Sequence, residues 1–377
     1  MKFITKIDLP KVTTIGEYAF AGRNLDELYA PLVDEIGSGI FDNACIDDLT
    51  LGLKEIANQM FQLITSDGTG GNFSTIHFPR CTDIYVYAFS NQHALKYADF
   101  PVTTYIGNYA FGGCEKLDTV AFPEAISIGE SAFSGTALST ALDASYDKKS
   151  AIPTEKLNIV NFPKVTTIAQ DAFLNCTSIK EVVFPEAVTL GNEILRGCTA
   201  LTKASFLKLT RLTQYAFYDC SSLTDISFPK LEEMANAVFS NCTSLKEVSF
   251  PELTSIGSSV FEGCISLTKA SFPSGTAVNN TTFKDCKQLK TVVLGNESGV
   301  CSLANTDAFT NCYHFYGTVD TTYNPDGLKD GYIYVPKALV EDYKVATNWS
   351  TLADRFRALE DYTVDGTTTG ELDETKI

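Results

Sequence analysis

The sequence predicts a repeat solenoid, in which one small structural unit is stacked many times. The first observation is a period of 22 residues that runs unbroken through six units, each with a cysteine three residues after its phenylalanine or leucine. These six positions are Phe173, Leu195, Phe217, Phe239, Phe261 and Phe283. A period of this length indicates stacking, because a single unit cannot bury its own apolar face.

The same position recurs outside this run, so that about thirteen units extend to about residue 312. The further positions are Phe20, Phe41, Phe61, Phe89, Phe111, Phe133 and Phe309. The length of 377 residues would ordinarily favour two or three domains. The repeat instead predicts one array, because each unit contacts mainly its neighbours.

The second observation is a strand pattern, Leu-x-x-Val-x-Phe-Pro, which is clearest from Leu245 to Pro251. Its alternation with period two predicts a short strand with Val248 and Phe250 in the core and Ser249 outside. Proline donates no ladder hydrogen bond, so it is expected where pairing stops. Stacked units then form a parallel sheet along one side.

The third observation is the segment Ile-Gly-x-x-Ala-Phe, as in residues 106–111, which crosses to the opposite face. We expect Gly107 to adopt a positive φ, which larger residues resist. Ala110 and Phe111 are expected to begin a short helical turn. Phenylalanine rings at one phase of successive units are expected to form a continuous buried stack.

These motifs resemble the BspA-like (Treponema-type) subclass of the leucine-rich repeat superfamily, whose units contain Ile-Gly-x-x-Ala-Phe-x-x-Cys. Residues 106–114, 168–176 and 256–264 carry the motif, and the resemblance covers about four fifths of the chain. Leu207 and Gly295 depart from it by replacing the proline. The resemblance implies a right-handed superhelix with a parallel sheet on the concave side and short strands or helical turns on the convex side.

The period ends after Phe309, and the remaining chain predicts a C-terminal cap, which the resemblance also implies. Residues 331–336 read as a last strand, and Trp349 is expected in the cap core. Apolar spacing then predicts two short helices. Their apolar residues are Leu339, Val340, Tyr343 and Val345 in the first, and Leu352, Phe356 and Leu359 in the second.

The predicted domain organisation has three parts. Residues 1–312 form the solenoid of about thirteen 22-residue units, with insertions near 65–72 and 137–155. Residues 313–360 form the cap, and residues 361–377 form an acidic tail of low order.

Eight of the eleven cysteines share one phase of the repeat, which predicts small, buried, reduced side chains rather than a disulfide framework. They are Cys114, Cys176, Cys198, Cys220, Cys242, Cys264, Cys286 and Cys312. The redox state of Cys45, Cys81 and Cys301, which lie off this phase, stays open.

Net charge and hydropathy limit the classes of partner that the chain can bind. The formal net charge is −17, which disfavours binding to nucleic acid or to anionic membranes. No apolar run reaches the length of a membrane span, so membrane insertion is not expected. The chain begins inside a repeat strand without a signal peptide, which predicts either truncation or use without export. The resemblance nevertheless implies a surface or secreted protein, so the localisation stays open.

Catalysis has little support. The three histidines, His77, His93 and His314, stand in no known catalytic motif, and phosphate loops are missing from the sequence. We therefore expect no catalytic residues, no cofactor and no metal site.

A binding face is predicted at the outward strand positions, which lie two and four residues before each proline. In the C-terminal half the nearer row is a serine ladder: Ser205, Ser227, Ser249 and Ser271. In the N-terminal half it is richer, and the candidate partner-binding residues are Glu27, Tyr29, Asp48, His77, Tyr97 and Asp99. Tyrosine combines apolar area with a hydrogen-bonding tip. The alternative is that these are ordinary strand residues.

The predicted function is a non-catalytic interaction or adhesion module that binds a macromolecule through the concave face. The resemblance implies surface proteins of host-associated bacteria, and hence a protein or glycan on a host or neighbouring cell. The uncapped first coil could also associate end to end with another copy. One alternative is a structural subunit such as a phage tail component. The last is a glycan-active enzyme using Glu27, Asp48 and Asp99.

Overall fold

The computed structural model describes residues 4–61, 72–142, 158–275, 277–361, 363–364 and 367–368. The predicted insertions and acidic tail fall largely outside these residues. The chain divides into two compact units, Met1–Leu201 and Thr202–Ile377, which we call unit 1 and unit 2.

Unit 1 is a stack of parallel strands in two rows. The long-strand sheet, in spatial order, contains β1 (Lys6–Asp8), β3 (Asn24–Ala30), β5 (Cys45–Leu51), β7 (Asn72–His77), β9 (Tyr97–Asp99), β11 (Thr119–Ala121), β13 (Thr140–Leu142), β14 (Ile159–Asn161) and β16 (Glu181–Val183). The two-residue strands of the second row are β2 (Thr14–Ile15), β4 (Glu35–Ile36), β6 (Glu55–Ile56), β8 (Asp83–Ile84), β10 (Tyr105–Ile106), β12 (Ser127–Ile128), β15 (Thr167–Ile168) and β17 (Thr189–Leu190).

Unit 2 repeats this plan. Its longer strands are β18 (Lys203–Ser205), β20 (Asp225–Ser227), β22 (Glu247–Ser249), β24 (Lys269–Phe272), β26 (Thr291–Leu294), β28 (Tyr332–Val335) and β29 (Phe356–Ala358). Its short strands are β19 (Arg211–Leu212), β21 (Glu233–Met234), β23 (Ser255–Ile256), β25 (Ala277–Val278) and β27 (Ser302–Leu303). The last two strands, β30 (Thr363–Val364) and β31 (Thr367–Thr368), pair antiparallel. The predicted parallel-strand solenoid is thus confirmed.

Two stacks of phenylalanine rings fill the core of unit 1, one more than the sequence predicted. In the first stack Phe111 lies 5.2 Å from Phe89 and 5.5 Å from Phe133, with the rings nearly parallel. In the second, Phe100 at a strand end stacks on Phe122 at 5.1 Å. The stacks meet edge to face, as in the contact of Phe100 with Phe111 at 6.0 Å and 72°. This is the favourable arrangement of aromatic quadrupoles.

The cysteines of the repeat phase are buried, as predicted, and their thiols also bond the coils together. The Cys114 Sγ–H donates to the carbonyl oxygen of Phe89 at 3.1 Å, and Cys264 does the same to Phe239 at 3.1 Å. Burial raises the pKa of Cys114 to about 12. Off this phase, Cys81 and Cys301 are also buried, whereas Cys45 is exposed.

The turn between the two rows corrects two expectations. Gly107 does not have a positive φ; a Cβ there would lie 2.6 Å from the Ile84 carbonyl oxygen, so glycine is required by the close approach of the preceding coil. The residues around Phe111 form hydrogen-bonded turns and no helix. The left-handed residues are instead Tyr109, with φ 55°, and Gly113, with φ 73°, on either side of that phenylalanine. These two reversals direct the ring into the core.

The C-terminal region of unit 2 is short and partly helical. Its helices are α1 (Tyr313–Tyr316) and α2 (Val340–Val345), with 3-10 helices at Thr306–Phe309, Lys337–Leu339, Trp349–Arg355 and Leu359–Asp361. Within the described residues, none of the helices has the length and apolar character needed to cross a membrane.

The cap core confirms the position of Trp349 and corrects the second predicted helix. The fully buried Trp349 donates its Nε1–H to the Cys301 carbonyl oxygen at 2.6 Å. Phe356, however, begins strand β29 and pairs with Ile333 of β28, because an open sheet edge competes for extended chain. Val345, which residue spacing assigns to the apolar face of the first predicted helix, is 80% exposed.

Candidate functional site

The outward side chains of the long-strand sheet in unit 1 form two rows. The first row contains Lys6, Glu27, Asp48, Thr75 and Tyr97, and the second contains Asp8, Tyr29, Thr50, His77 and Asp99. Between them Leu28, Leu49 and Ile76 are fully buried. Because side chains alternate along a strand, this register places all six candidate residues on the outward face.

The imidazole of His77 lies between two carboxylates. Its Nε2 atom is 3.4 Å from Asp48 Oδ1 on the preceding strand, and its Nδ1 atom is 3.1 Å from Asp99 Oδ2 on the following one. Only 9% of the His77 side chain is exposed. The contact with Asp99 is a hydrogen bond, which the Nδ1–H donates because a carboxylate oxygen can only accept. Asp48 Oδ1 is buried and has no hydrogen-bond partner among the described residues.

An aromatic ring closes this group on one side. The Tyr97 ring centroid lies 5.6 Å from that of His77, with the ring planes at 57°. Tyr97 and Asp99 share strand β9, whereas Asp48 lies on β5. We call Asp48, His77, Tyr97 and Asp99 the His77 cluster. Four of the six candidate residues therefore come together in three dimensions.

The other two candidates, Glu27 and Tyr29, lie on β3, which pairs with the β5 strand that carries Asp48 of the cluster. The Glu27 carboxylate accepts a hydrogen bond from Lys6 Nζ at 3.0 Å and thereby raises the pKa of that ammonium group. Tyr29 is aligned with Thr50 in the sheet and is 37% exposed. Strands in a sheet are about 4.8 Å apart, so β3 and β7 are separated by about 10 Å. One extended partner can span that distance.

The remaining histidines also lie beside carboxylates. His93 Nδ1 lies 4.0 Å from Glu115, and in unit 2 the buried His314 Nδ1 lies 2.6 Å from Asp330. Throughout the part of the chain that the structure describes, His, Cys, Asp and Glu side chains form no group of three or more that could hold a metal ion. The chemistry of the face is therefore that of fixed acids, an imidazole and aromatic rings.

Sequence reasoning missed a second aromatic surface in unit 1, on the short strands and the segments that follow them. Tyr87 and Tyr109 stack there at 4.8 Å, and Tyr85 lies beside Tyr105 at 6.5 Å. A signal was available, because tyrosine recurs two residues before the core phenylalanine in neighbouring units.

A model of the BspA-type leucine-rich repeat region, comprising six copies of the repeat, matches residues 1–69, 68–149, 148–268 and 210–319. The chain belongs to the BspA-type leucine-rich repeat family. The resemblance drawn from the Ile-Gly-x-x-Ala-Phe-x-x-Cys motif is thus confirmed. The comparison with curated proteins found no match.

Solved structures are similar to this BspA-type chain. A leucine-rich repeat protein from Bacteroides ovatus is 21% identical, with a TM-score of 0.50, over 77% of this chain and 78% of that protein. A T. pallidum leucine-rich repeat protein is 27% identical, with a TM-score of 0.37, over 41% and 76%. A leucine-rich cell surface protein from Faecalibacterium prausnitzii is 20% identical, with a TM-score of 0.40, over 76% and 87%. The first of these likenesses supports the leucine-rich repeat fold.

Membership of the family gives a broad functional class. Leucine-rich repeat proteins commonly serve as protein-interaction modules, because stacked coils present an extended surface. In a BspA-type unit the Leu, Val, Phe and Cys phases are buried in the core, as Phe111 and Cys114 show. The outward strand positions and the turns remain free to differ between units.

Proposed function

We propose that this protein is a non-catalytic interaction module that binds a macromolecular partner through the outward face of the long-strand sheet in unit 1. The contact would include Glu27, Tyr29, Asp48, His77, Tyr97 and Asp99. The partner would be a protein or glycan on a host or neighbouring cell, which makes adhesion at the bacterial surface the biological role.

The observation that carries the proposal is the His77 cluster. A nearly buried imidazole between Asp48 and Asp99, with the Tyr97 ring against it, restrains the groups that a partner would meet. Groups held in place before binding lose little conformational entropy when the partner arrives. Strand propensity alone accounts for tyrosine in a strand, but it does not account for an imidazole placed between two carboxylates.

The sheet face also has a suitable balance of fixed and accessible groups. Tyr29 is 37% exposed, and the Asp48 side chain is 47% exposed although its Oδ1 faces His77. Aromatic side chains that combine apolar area with a polar tip are enriched among residues that dominate binding energy. Tyr29 therefore supplies the accessible anchor, and the His77 cluster supplies the oriented carboxylates.

Binding of the purified chain to host matrix proteins, epithelial cells and bacterial wall glycans tests the proposal. A Tyr29→Ala, Tyr97→Ala, Asp99→Ala variant should lose about tenfold or more in affinity, since loss of a binding hot spot costs at least about 2 kcal/mol. A Glu27→Gln, Tyr29→Ala variant leaves the His77 cluster intact. A loss of affinity in this variant therefore reports a lost contact with the partner and not a disordered cluster.

The matched control is Ser205→Ala, Ser227→Ala, Ser249→Ala, at equivalent outward positions of unit 2, and it should bind as the unaltered chain does. Saturable binding that both unit 1 variants retain would place the contact elsewhere. Failure to bind anything in the panel would argue for a structural subunit instead.

A further inference from the structure

The short-strand side of unit 1 carries a second candidate surface, made of Tyr85, Tyr87, Tyr105 and Tyr109, which we call the tyrosine surface. The Tyr87 and Tyr109 rings stack at 4.8 Å with their planes at 14°. Tyr85 and Tyr105 lie 6.5 Å apart at 56°. The four rings come from two adjacent coils, whose short strands β8 and β10 are paired in register.

The backbone conformation of two of these residues is a feature of the repeat. Tyr87 and Tyr109 have φ of 58° and 55°, in the left-handed region. The equivalent position is also left-handed in other coils, where it is occupied by Gly39, Ser131 and Ala237, among others. The turn therefore accepts many residue types and does not itself require an aromatic ring.

Carboxylates border the tyrosine surface and orient the rings. Tyr85 Oη donates to Glu55 at 3.4 Å, and Tyr109 Oη donates to Glu130 at 2.9 Å. The charge of Glu55 raises the pKa of Tyr85, and the hydrogen bond to Glu130 raises the pKa of Tyr109. Asp83, beside Tyr105 in the sheet register, adds a further negative charge. Both phenols therefore stay neutral beside fixed negative charge at neutral pH.

Nearby cations are already engaged with another acid. Lys54, the neighbour of Glu55 in the chain, has its Nζ 3.9 Å from Asp34, and Arg80 lies 3.0 Å from the same carboxylate. The rings and the carboxylates that border them thus present π faces together with negative charge. That combination attracts guanidinium and ammonium groups, which bind over tyrosine rings and pair with carboxylates.

We propose that the tyrosine surface binds an arginine- or lysine-rich protein segment, which lies across the two coils with its cations over the rings. This interaction goes beyond the sheet-face function, because it uses the short-strand side and none of the six sheet residues. A chain of net charge −17 also attracts any cationic peptide over a distance. Contact with the rings must therefore be tested by a change that leaves the charge unaltered.

The test is calorimetric titration of the full chain with a ten-residue peptide that alternates arginine and glycine, at low and at physiological salt. A Tyr87→Gly, Tyr109→Gly variant removes two rings and no charge, and glycine suits the left-handed backbone. We expect the affinity to fall about 5- to 30-fold, which corresponds to two cation–π contacts, while the circular dichroism spectrum of the folded chain is unchanged.

Three controls accompany this variant. Tyr87→Phe, Tyr109→Phe keeps both rings and should keep the affinity. Tyr215→Gly, at the equivalent phase of unit 2, where Tyr215 also has a positive φ, should have no effect. Tyr29→Ala on the sheet face should also leave peptide binding unchanged, so that failure here is distinct from failure of the proposed function.

Unchanged affinity in the double glycine variant would overturn the proposal, because the attraction would then come from net charge alone. Absence of peptide binding would overturn it as well. A neutral oligosaccharide such as a glucose hexamer is titrated in parallel. Ring-dependent binding of that sugar, without ring-dependent binding of the peptide, would make the tyrosine surface a carbohydrate platform and the proposal wrong.

Discussion

The sheet faces of the two units have the same framework and very different outward residues. In unit 1 the strands β3, β5 and β7 are six or seven residues long, and together with the three-residue strand β9 they carry the His77 cluster and Tyr29. In unit 2 the equivalent strands β18, β20, β22 and β24 have three or four residues. Their outward positions are Ser205, Ser227, Ser249 and Ser271, flanked by Lys203, Asp225, Glu247 and Lys269.

The charges beside the serine ladder neutralise one another across strands. Lys203 is aligned with Asp225, and Glu247 is aligned with Lys269. Opposite charges on neighbouring strands stabilise a sheet modestly and leave little net charge at the surface. Unit 1 instead gathers Asp48 and Asp99 around one imidazole. The difference teaches that a repeat constrains its core phases in every coil, while the outward phases are free to become specific.

The largest expected effect tests whether the phenylalanine cores of unit 1 and unit 2 contribute equally to the free energy of unfolding. Phe111→Ala in unit 1 and Phe239→Ala in unit 2 each remove a fully buried ring that stacks on two others. Each should lower the free energy of unfolding by about 3–5 kcal/mol, because the cavity cannot close between fixed coils. Guanidinium unfolding followed by circular dichroism measures both.

Phe111→Leu is the control, and it should cost less than the change to alanine because most of the volume is kept. A large difference between the two alanine variants would show that the cores are not equivalent and would break the comparison.

The second prediction concerns the close approach of coils, which both units share. A Cβ at Gly107 would lie 2.6 Å from the Ile84 carbonyl oxygen, and one at Gly257 would lie 2.5 Å from Ala235. Alanine at either position should cost about 1–3 kcal/mol through overpacking. Gly16→Ala is the control, since no described atom lies within 4 Å of its Cβ. Equal stability of all three variants in thermal unfolding would rule out the steric explanation.

The smallest expected effect compares how much outward residues contribute to stability on the sheet faces of unit 1 and unit 2. His77→Ala removes the hydrogen bond to Asp99 and the close contact with Asp48, and it should cost about 1 kcal/mol, the lower end for losing a buried hydrogen-bonding group. Ser249→Ala in unit 2 should stay within about 0.5 kcal/mol of the unaltered chain. The comparison uses urea unfolding at neutral pH. Equal costs would mean that the His77 cluster is not a coupled unit.

Sequence periodicity predicted most of the fold, because the burial of one face of each strand imposes that periodicity on the sequence. Val248 and Phe250 are buried and Ser249 is not, as the alternation required. The role of Gly107 was wrong, because glycine can signal a positive φ or a close approach, and only the neighbouring coil distinguishes them. The helix through Phe356 was wrong because the open edge of β28 binds that segment as a strand.

The candidate site was predictable in position and not in its contacts. Counting back from each proline, and from Gly52 in the unit that lacks one, placed all six residues on one face. It could not show that His77 would reach diagonally to Asp48 while pairing with Asp99 in the next strand, because side-chain rotamers are chosen by packing. The tyrosine surface was likewise invisible as a surface until two coils were stacked.

The sequence by itself determined the repeating unit, the parallel strands, the buried phenylalanine and cysteine phases and the outward rows. These follow from a period of 22 residues and from the alternation of side chains along a strand. Only the tertiary structure decided which outward residues touch, which turn residues take the left-handed conformation and where the cap becomes a strand. The physical reason is that periodic burial is encoded within each coil, whereas those outcomes depend on atoms that a neighbouring coil brings within a few ångströms.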